Sequence, residues 1–314
     1  MKICKTLSLI LICAALVACG TAPTDEITPP SSVETSGQSG DAAGEETEPS
    51  SSTEESEAET EADTPAAVTD TIEESVLLDQ NGVKITAKSL DKSGWMGPEL
   101  KLLIENSTEK NLTVQVRDAS VNGYMISTSM SEDVSAGKKA NGEITFSSAS
   151  LEAAGISTFA DMEFSFHISD EEWETYLNSD MITVRTAAAD TYTQAYDDSG
   201  VEVLNSNGIR VVSKGLNSGD IFGTGVVFYA HNDTDATVII SDRDCSVNGF
   251  MIDPNLYMEI APGKHAVDDM DFFASQLEEN DIADITDVEF SLHIYDSDTW
   301  DDIANSDPIT LHFD

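Results

Sequence analysis

Aspartates near the end of the chain are the residues whose type and spacing come nearest to metal chemistry. Asp296, Asp298, Asp301 and Asp302 lie within a short run, and Ca²⁺ prefers to be surrounded by several carboxylate oxygens. The run lacks the central glycine and the terminal glutamate of an EF-hand loop, and Asp298 has the position of a helix N-cap before Trp300. We therefore treat these four aspartates as candidate calcium ligands and predict no other metal or cofactor.

Histidine offers a second route to metal or catalytic chemistry. His167 and His293 occupy equivalent places in two similar stretches, each four residues after a glutamate. Neither has a partner ligand at the spacing of a zinc site, and an exposed histidine on a strand is the more common outcome. The sequence also contains no nucleophile elbow, phosphate-binding loop or dinucleotide fingerprint. We therefore predict that the protein is not an enzyme.

The N-terminus carries one cysteine with a defined chemistry. Lys2 and Lys5 precede a short apolar run, Leu7 to Ala18, as in a secretory signal that is too short to span a membrane. The stretch Leu16-Val17-Ala18-Cys19-Gly20 resembles the lipobox of bacterial lipoproteins. The resemblance implies a signal peptide at residues 1–18, lipidation of Cys19, and a position on the extracytoplasmic face of the bacterial cell membrane. A Cys19→Ser variant is then expected in the medium.

Residues 19–73 have the composition of a chain that does not fold. They are rich in Ser, Thr, Glu, Asp, Pro, Ala and Gly, with no aromatic residue and no Lys or Arg. Such a segment cannot bury enough apolar surface to offset its ordering entropy, so we predict a disordered acidic tether. The formal net charge of the whole chain, −44, argues against nucleic acid as a partner and is compatible with cations or basic proteins.

The rest of the chain contains one pattern twice. The stretch Asp118-Ala-Ser-Val-Asn-Gly-Tyr-Met-Ile126 matches Asp244-Cys-Ser-Val-Asn-Gly-Phe-Met-Ile252, and the alignment continues at a constant offset on both sides. Asn-Gly between two apolar runs is typical of a type I′ hairpin turn, which needs positive φ at both positions. We therefore predict two repeated domains, residues 74–186 and 200–314, joined by a linker at 187–199.

Alternation of apolar and polar residues predicts that both domains are built from β-strands. Met162, Phe164, Phe166 and Ile168 alternate with polar residues, as in a strand with one buried face. In the first repeat we predict strands near 76–79, 82–90, 99–106, 111–121, 124–129, 141–147, 161–168 and 181–186, with short helices at 150–154 and 170–177. This number of short strands predicts an all-β fold of two tandem immunoglobulin-like β-sandwich domains.

Two apolar residues between turn-forming residues mark the candidate binding loops. Trp95 and Met96 in the first repeat correspond to Ile221 and Phe222 in the second. We expect these side chains either to tuck under the end of the sandwich or to project as a contact loop, because binding sites on sandwiches tend to lie on end loops.

Other repeated positions are interpreted as structural. Cys245 aligns with Ala119 of the other repeat, so we expect a small buried residue and not a nucleophile. Asn106 and Asn232 each begin an Asn-X-Thr sequence that fits a glycosylation sequon, and we interpret both as turns.

In layout the chain resembles the surface lipoproteins of Gram-positive bacteria that carry tandem immunoglobulin-like repeats. The resemblance lies in the lipobox, the acidic segment and the repeated Ser-Val-Asn-Gly hairpin, and it implies no catalytic or binding residues. It favours a monomeric, non-enzymatic binding or adhesion module for an extracellular protein or an envelope glycan. Two alternatives are a structural or accessory subunit of an envelope complex, and a solute- or calcium-binding lipoprotein. The solute-binding alternative ranks lower because two small β-domains predict no large cleft between them.

Overall fold

The computed structural model describes residues 27–35, 69–220 and 223–313. Cys19, the signal sequence and most of the acidic segment lie outside these ranges. Within them β-strands predominate over two short helices, which confirms the predicted all-β fold. No helix in the described ranges is long and apolar enough to cross a membrane.

Two short strands and the first domain come first along the chain. The strands are β1 (Ile27–Thr28), β2 (Ser32–Thr35), β3 (Ser75–Gln80), β4 (Val83–Asp91), β5 (Glu99–Asn106), β6 (Leu112–Val121), β7 (Tyr124–Met125), β8 (Thr128–Ser129), β9 (Ser131–Val134), β10 (Lys139–Phe146), β11 (Asp161–Asp170), β12 (Thr175–Asn178) and β13 (Ile182–Arg185), and helix α1 (Ser148–Ala153) lies between β10 and β11.

The second domain repeats this order. Its strands are β14 (Val201–Ser206), β15 (Ile209–Asp220), β16 (Gly223–Asn232), β17 (Val238–Val247), β18 (Phe250–Met251), β19 (Met258–Ile260), β20 (His265–Phe273), β21 (Asp287–Asp296), β22 (Asp302–Asn305) and β23 (Ile309–His312), and helix α2 (Ala274–Glu279) lies between β20 and β21.

The first domain is a sandwich of two antiparallel sheets. One sheet has the strand order β3-β4-β5-β10-β8. The other is built on the β6–β11 pair, with β7 and β9 on β6 and with β12 and β13 on β11. Strands β4, β5 and β10 therefore correspond to A, B and E of an immunoglobulin sandwich, and β6, β11 and β13 correspond to C, F and G.

The second domain has the same two layers. Strands β15, β16 and β20 form one sheet, with β14 and β1 along the outer edge of β15. The other sheet is built on the β17–β21 pair and continues through β23 to β2. Each sandwich encloses its own core of apolar side chains, with Phe146 and Phe164 fully buried in the first domain and Phe228 and Phe290 in the second.

The repeated Asn-Gly turns form as predicted. Asn122 and Gly123 have φ values of 51° and 84°, and Asn248 and Gly249 have values of 50° and 80°, as a type I′ turn requires. The Asn122 carboxamide oxygen also accepts the backbone N–H of Ala160 at 2.7 Å, and Asn248 binds the start of β21 in the same manner. The asparagine thus closes the hairpin and also fixes the neighbouring strand.

The prediction of a helix at 170–177 is wrong. The chain turns at residues 171–172 and continues as β12, and the second domain forms β22 at the corresponding place. Asp170 Oδ1 accepts the backbone N–H groups of Glu172 and Glu174, and such local bonds compete with a helix. Asp298 is accordingly not a helix N-cap, because its backbone N–H donates to Asp296 Oδ1 in the equivalent turn.

The prediction of a disordered tether is wrong at its end, where Asp70 accepts the backbone N–H of Phe159 and Ile72 packs against the core of the first domain. It is also wrong for residues 27–35. They form β1 and β2, which pair with edges of the second domain. The average composition of residues 19–73 hides the apolar residues Ile27 and Val33, which suit a strand. The remaining residues of the predicted tether before Thr69 lie outside the described ranges.

Candidate functional site

The two domains meet where strand β7 lies beside strand β20. The two strands pair in parallel at Tyr124 and His265, and the backbone N–H of His265 donates to the Gly123 carbonyl at 2.9 Å. Lys264 Nζ lies 2.6 Å from a carboxylate oxygen of Glu163 on β11. The Asn-Gly hairpin of the first domain is therefore part of the contact between the domains.

Aromatic rings fill the centre of this junction. The ring of Tyr196, from the connecting segment, stacks on His265 with 3.8 Å between centroids. Tyr229 Oη lies 2.6 Å from His265 Nδ1, and the His231 ring stacks at 4.3 Å. Burial, followed by the charge of His231, lowers the pKa of His265 to about 4. His265 is therefore neutral at pH 7, and its environment resists protonation.

A cleft of about 450 Å³ opens beside the junction. The first domain lines it with residues 116–119 and 125–128 and with Ser150 of α1, and the second domain lines it with residues 257–259 and 266–268. The volume falls within the range of small-ligand sites. The sequence had predicted no large cleft between the domains, and this cavity is a small one that residues of both domains line.

Acidic side chains dominate the charge of the cleft. Its lining contains three carboxylates, Asp118, Glu259 and Asp268, and one cation, Arg117. Although Asp268 is exposed to the water of the cleft, the surrounding protein removes part of its hydration and raises its pKa to about 6. Burial, and then the charge of Asp118, also raise the pKa of Glu259. Arg117 acts in the opposite direction on the pKa of Glu259 but does not offset these two effects.

A β-bulge gives Asp118 its position in the cleft. The register between β6 and β11 shifts between Glu163 and Ser165, and Asp118 adopts a positive φ of 54°. Its Oδ2 accepts the Ser165 hydroxyl at 3.0 Å. Bulges commonly redirect a side chain beside a binding site, and here the bulge lies at the wall of the cleft.

Apolar side chains complete the lining. Val116, Met125 and Val267 line the cleft and are each half-buried, and the thioether of Met125 can adapt to different ligand shapes. Tyr257 is 53% exposed at the side of the second domain. The cleft therefore offers carboxylates for a cation and a smaller apolar surface for the body of a ligand.

The predicted binding loop of the first domain projects, and its residues are not among those that line the cleft. Trp95 is 90% exposed and Met96 is 51% exposed. The backbone N–H of Gly97 donates to the Gly94 carbonyl at 3.2 Å, which closes the turn beneath them. Of the two alternatives, projection is what the structure has. Ile221 and Phe222 lie outside the described residues.

The candidate calcium ligands do not converge. Asp296 Oδ1 accepts two backbone N–H groups of its own turn, and Asp302 Oδ1 lies 2.7 Å from His293 Nε2. Asp298 and Asp301 are exposed. Among the described residues no group of three or more His, Cys, Asp or Glu side chains could hold a metal ion.

The residues that face the cleft were missed because they come from both domains. Glu259 and Asp268 carry no motif, and their approach to Asp118 depends on how the domains meet. A second missed feature is an exposed tryptophan in each repeat, since Trp173 and Trp300 are 73% and 70% exposed with a φ of 64°. A bulky residue at positive φ is rare. The only sequence signal for this feature is that a Trp occurs at the same place in both repeats.

Comparison with known proteins does not assign this site. No protein-family model and no curated protein matches the chain. Two solved structures are distantly similar. The YadV chaperone is 13% identical, with a TM-score of 0.22, over 72% of this chain and 99% of that one. The CupB2 chaperone of Pseudomonas aeruginosa is 12% identical, with a TM-score of 0.21, over 67% and 92%. Overlaps this low carry no argument about what the chain does.

Proposed function

We propose that the protein is a lipid-anchored, non-enzymatic binding protein of the bacterial envelope that holds an amine-bearing ligand in the cleft between its two domains. The observation that carries the proposal is the lining of that cleft, where Asp118, Glu259 and Asp268 face a single cation, Arg117. The lipobox at Cys19 supports the anchored location.

The charge of the lining favours a cation. When all three carboxylates are ionised they outnumber the one guanidinium, so the cleft is net negative. A protonated amine that enters it replaces lost hydration with charge-assisted hydrogen bonds, which are roughly twice as strong as neutral ones. The net charge of −44 on the whole chain attracts cations toward the protein from a distance.

The apolar part of the lining defines the rest of the ligand. Val116, Met125 and Val267 provide surface for an alkyl chain, as in the stem of a lysine side chain. The volume of about 450 Å³ admits a small solute or one basic side chain of a protein partner. A lysine-type side chain, which joins an alkyl stem to an ammonium group, matches both features.

Two model ligands test the proposal on the full chain with Cys19→Ser, which keeps it in solution. N-acetyl-lysinamide carries one ammonium group, and N-acetyl-norleucinamide has an alkyl side chain without it. We expect calorimetric titration to give an affinity at least about tenfold higher for the lysine compound, because a hydrogen bond to a charged group contributes roughly 1.5–3 kcal/mol.

Matched glutamate variants locate the binding. Glu259→Gln removes one charge inside the cleft and is expected to weaken lysinamide binding about tenfold. Glu278→Gln removes one charge on the exposed surface of α2, outside the lining, and is expected to leave the affinity unchanged. Equal affinities for the two compounds, or equal losses in the two variants, would refute the proposal.

The exposed tryptophan loop supports a second candidate function, adhesion to an envelope glycan or protein. Trp95 is 90% exposed and Met96 lies beside it, and isolated large aromatic residues on end loops are frequent contact residues. Capture from native envelope material by the full chain, compared with a Trp95→Ser variant, tests it. A partner that is lost with Trp95→Ser supports adhesion, and a partner retained by both variants excludes this loop.

A further inference from the structure

The segment Ile27–Thr35 crosses the second domain from one sheet to the other. Strand β1 pairs antiparallel with β15, and β2 pairs antiparallel with β23. Between them, Ser31 donates from its backbone N–H at 2.7 Å and from its hydroxyl at 2.9 Å to the carbonyl of His312. The segment, which we name the strap, therefore covers one edge of each sheet.

We propose that the strap places the second domain, and not the first, next to the anchored end of the chain. The inference depends on the lipid anchor at Cys19 that belongs to the proposed function. Eight residue steps separate Cys19 from Ile27, and they span at most about 29 Å when extended. Residues 36–68 must then lead from the strap back to the first domain. The first domain is thus the one farther from the membrane, although it comes first in the chain.

The strap matches the surface beneath it in polarity. Val33 is half-buried and packs against the core of the second domain, opposite Leu311 in the strand register. The neighbouring Ser32 is exposed. This alternation is what a strand on the edge of a sandwich needs.

A glycine adapts the second domain to the strap. Gly215 has a φ of +130°, and a Cβ added to it would lie 2.0 Å from the carbonyl oxygen of Thr28. Any side chain at this position would therefore collide with the strap backbone. The equivalent position of the first domain is Ser89, which carries that Cβ. The second domain is thus suited to the strap at a point where the first is not.

The two domains also differ at the edge that β2 covers. Strand β23 pairs with β21 on one side and with β2 on the other. Its counterpart β13 pairs with β11 alone among the strands that the structure describes. Covering an open edge removes a site of unwanted strand pairing, and the strap does this for the second domain.

A disulfide cross-link tests the pairing itself. In the full chain with Cys19→Ser, Val33→Cys is combined with Leu311→Cys, its register partner, or with Val184→Cys, the equivalent position of the first domain. Paired strands bring Cα atoms within the reach of a disulfide. We expect a cross-link within one monomer for the first pair and none for the second. A cross-link to position 184, a cross-link between two copies, or no cross-link at all would overturn the proposal.

Energy transfer to a vesicle tests the placement. The lipidated chain is bound to vesicles that contain an acceptor-labelled lipid, and a donor dye is attached through Trp173→Cys or Trp300→Cys. These positions are equivalent and exposed in the two domains, whereas the native Cys245 is buried. We expect stronger transfer from position 300 than from position 173. Equal transfer, or the reverse order, would contradict the proposal.

Two variants of the strap complete the design. Val33→Asp places a charge against the core and is expected to release the strap and remove the difference between the two donor positions. Ser32→Asp adds the same charge on the exposed face and is expected to preserve the difference. If the native chain does not bind vesicles, the anchor at Cys19 is refuted and the placement with it, while the cross-link still reports on the strap.

Discussion

His265 makes the stability of the junction depend on pH in a way that can be calculated. Its pKa is lowered from 6.5 to about 4 because the ring is enclosed by the junction and lies beside His231. Tyr229 and Tyr196 contact the same ring. In the unfolded chain the imidazole regains its ordinary pKa, so the unfolded state takes up a proton as the pH falls below 6.5 while the folded state does not. The free energy of unfolding therefore keeps its full value from His265 at high pH, and this contribution is lost between pH 6.5 and pH 4.

The magnitude follows from the two pKa values. At pH 5 almost every unfolded imidazole is protonated and about nine-tenths of the folded ones are neutral. The difference lowers the free energy of unfolding by at most about 2 kcal/mol relative to pH 7. Asp268 lies three residues further along β20 and has the opposite effect on the free energy of unfolding. Its pKa is raised to about 6, so the folded state takes up a proton there before the unfolded state does. The pH dependence of the total free energy of unfolding therefore does not report the contribution of His265 alone.

A comparison with the variant His265→Gln isolates the contribution of His265 to the pH dependence. Urea unfolding of the full chain with Cys19→Ser is measured at pH 7 and pH 5 for the native residue and the variant. Asp268 contributes to both proteins and cancels in the difference. We expect the native protein to lose up to about 2 kcal/mol more than the variant between the two pH values. The same loss in both proteins, or an NMR titration of the His265 imidazole with a midpoint near 6.5, would refute the reasoning.

Three further predictions concern two substitutions and the reactivity of one cysteine. Asp268→Asn is expected to reduce the rise in lysinamide affinity that the native protein should have as the pH increases through about 6, where Asp268 ionises. The raised pKa of Glu259 leaves a smaller rise in the variant. Titrations at pH 5 and pH 7 check this, and an undiminished rise would contradict it. Asn232→Ala is expected to cost about 2–4 kcal/mol of unfolding free energy, because the buried carboxamide donates to Ala236 and Ile260 and accepts from Thr234; a loss below about 0.5 kcal/mol in urea would exclude this role. Cys245 is 2% exposed with a pKa raised to about 12 by burial, so thiol reagents should modify it only after unfolding. Rapid labelling of the folded protein would contradict its burial.

The strands and hairpins could be predicted because their signals are local. Phe164 and Phe166 alternate with polar residues, and Asn122-Gly123 specifies its own turn through positive φ. The bounds of most strands agree with the prediction to within one or two residues. The helix at 170–177 was predicted wrongly because Asp170 bonds to the backbone of its own turn. Residue periodicity does not reveal such a bond.

The cleft and the strap could not be predicted because both depend on contacts between distant parts of the chain. Asp118 and Glu259 belong to different domains, and the stacking of Tyr196 on His265 helps to set how those domains meet. The strap pairs residues near the N-terminus with β23 at the other end of the chain. Composition indicates only that the surrounding segment is polar, and it carries no information about a partner edge.

The central claim, that the interdomain cleft holds a cationic ligand, is tested most directly by mapping the binding site by NMR. The isotopically labelled chain with Cys19→Ser is titrated with N-acetyl-lysinamide while its backbone amide shifts are followed. We predict shift changes concentrated at residues 116–119, 125–128, 257–259 and 266–268, which line the cleft. Changes confined to the Trp95 loop or to exposed aspartates such as Asp298 and Asp301, with the cleft unaffected, would contradict the claim.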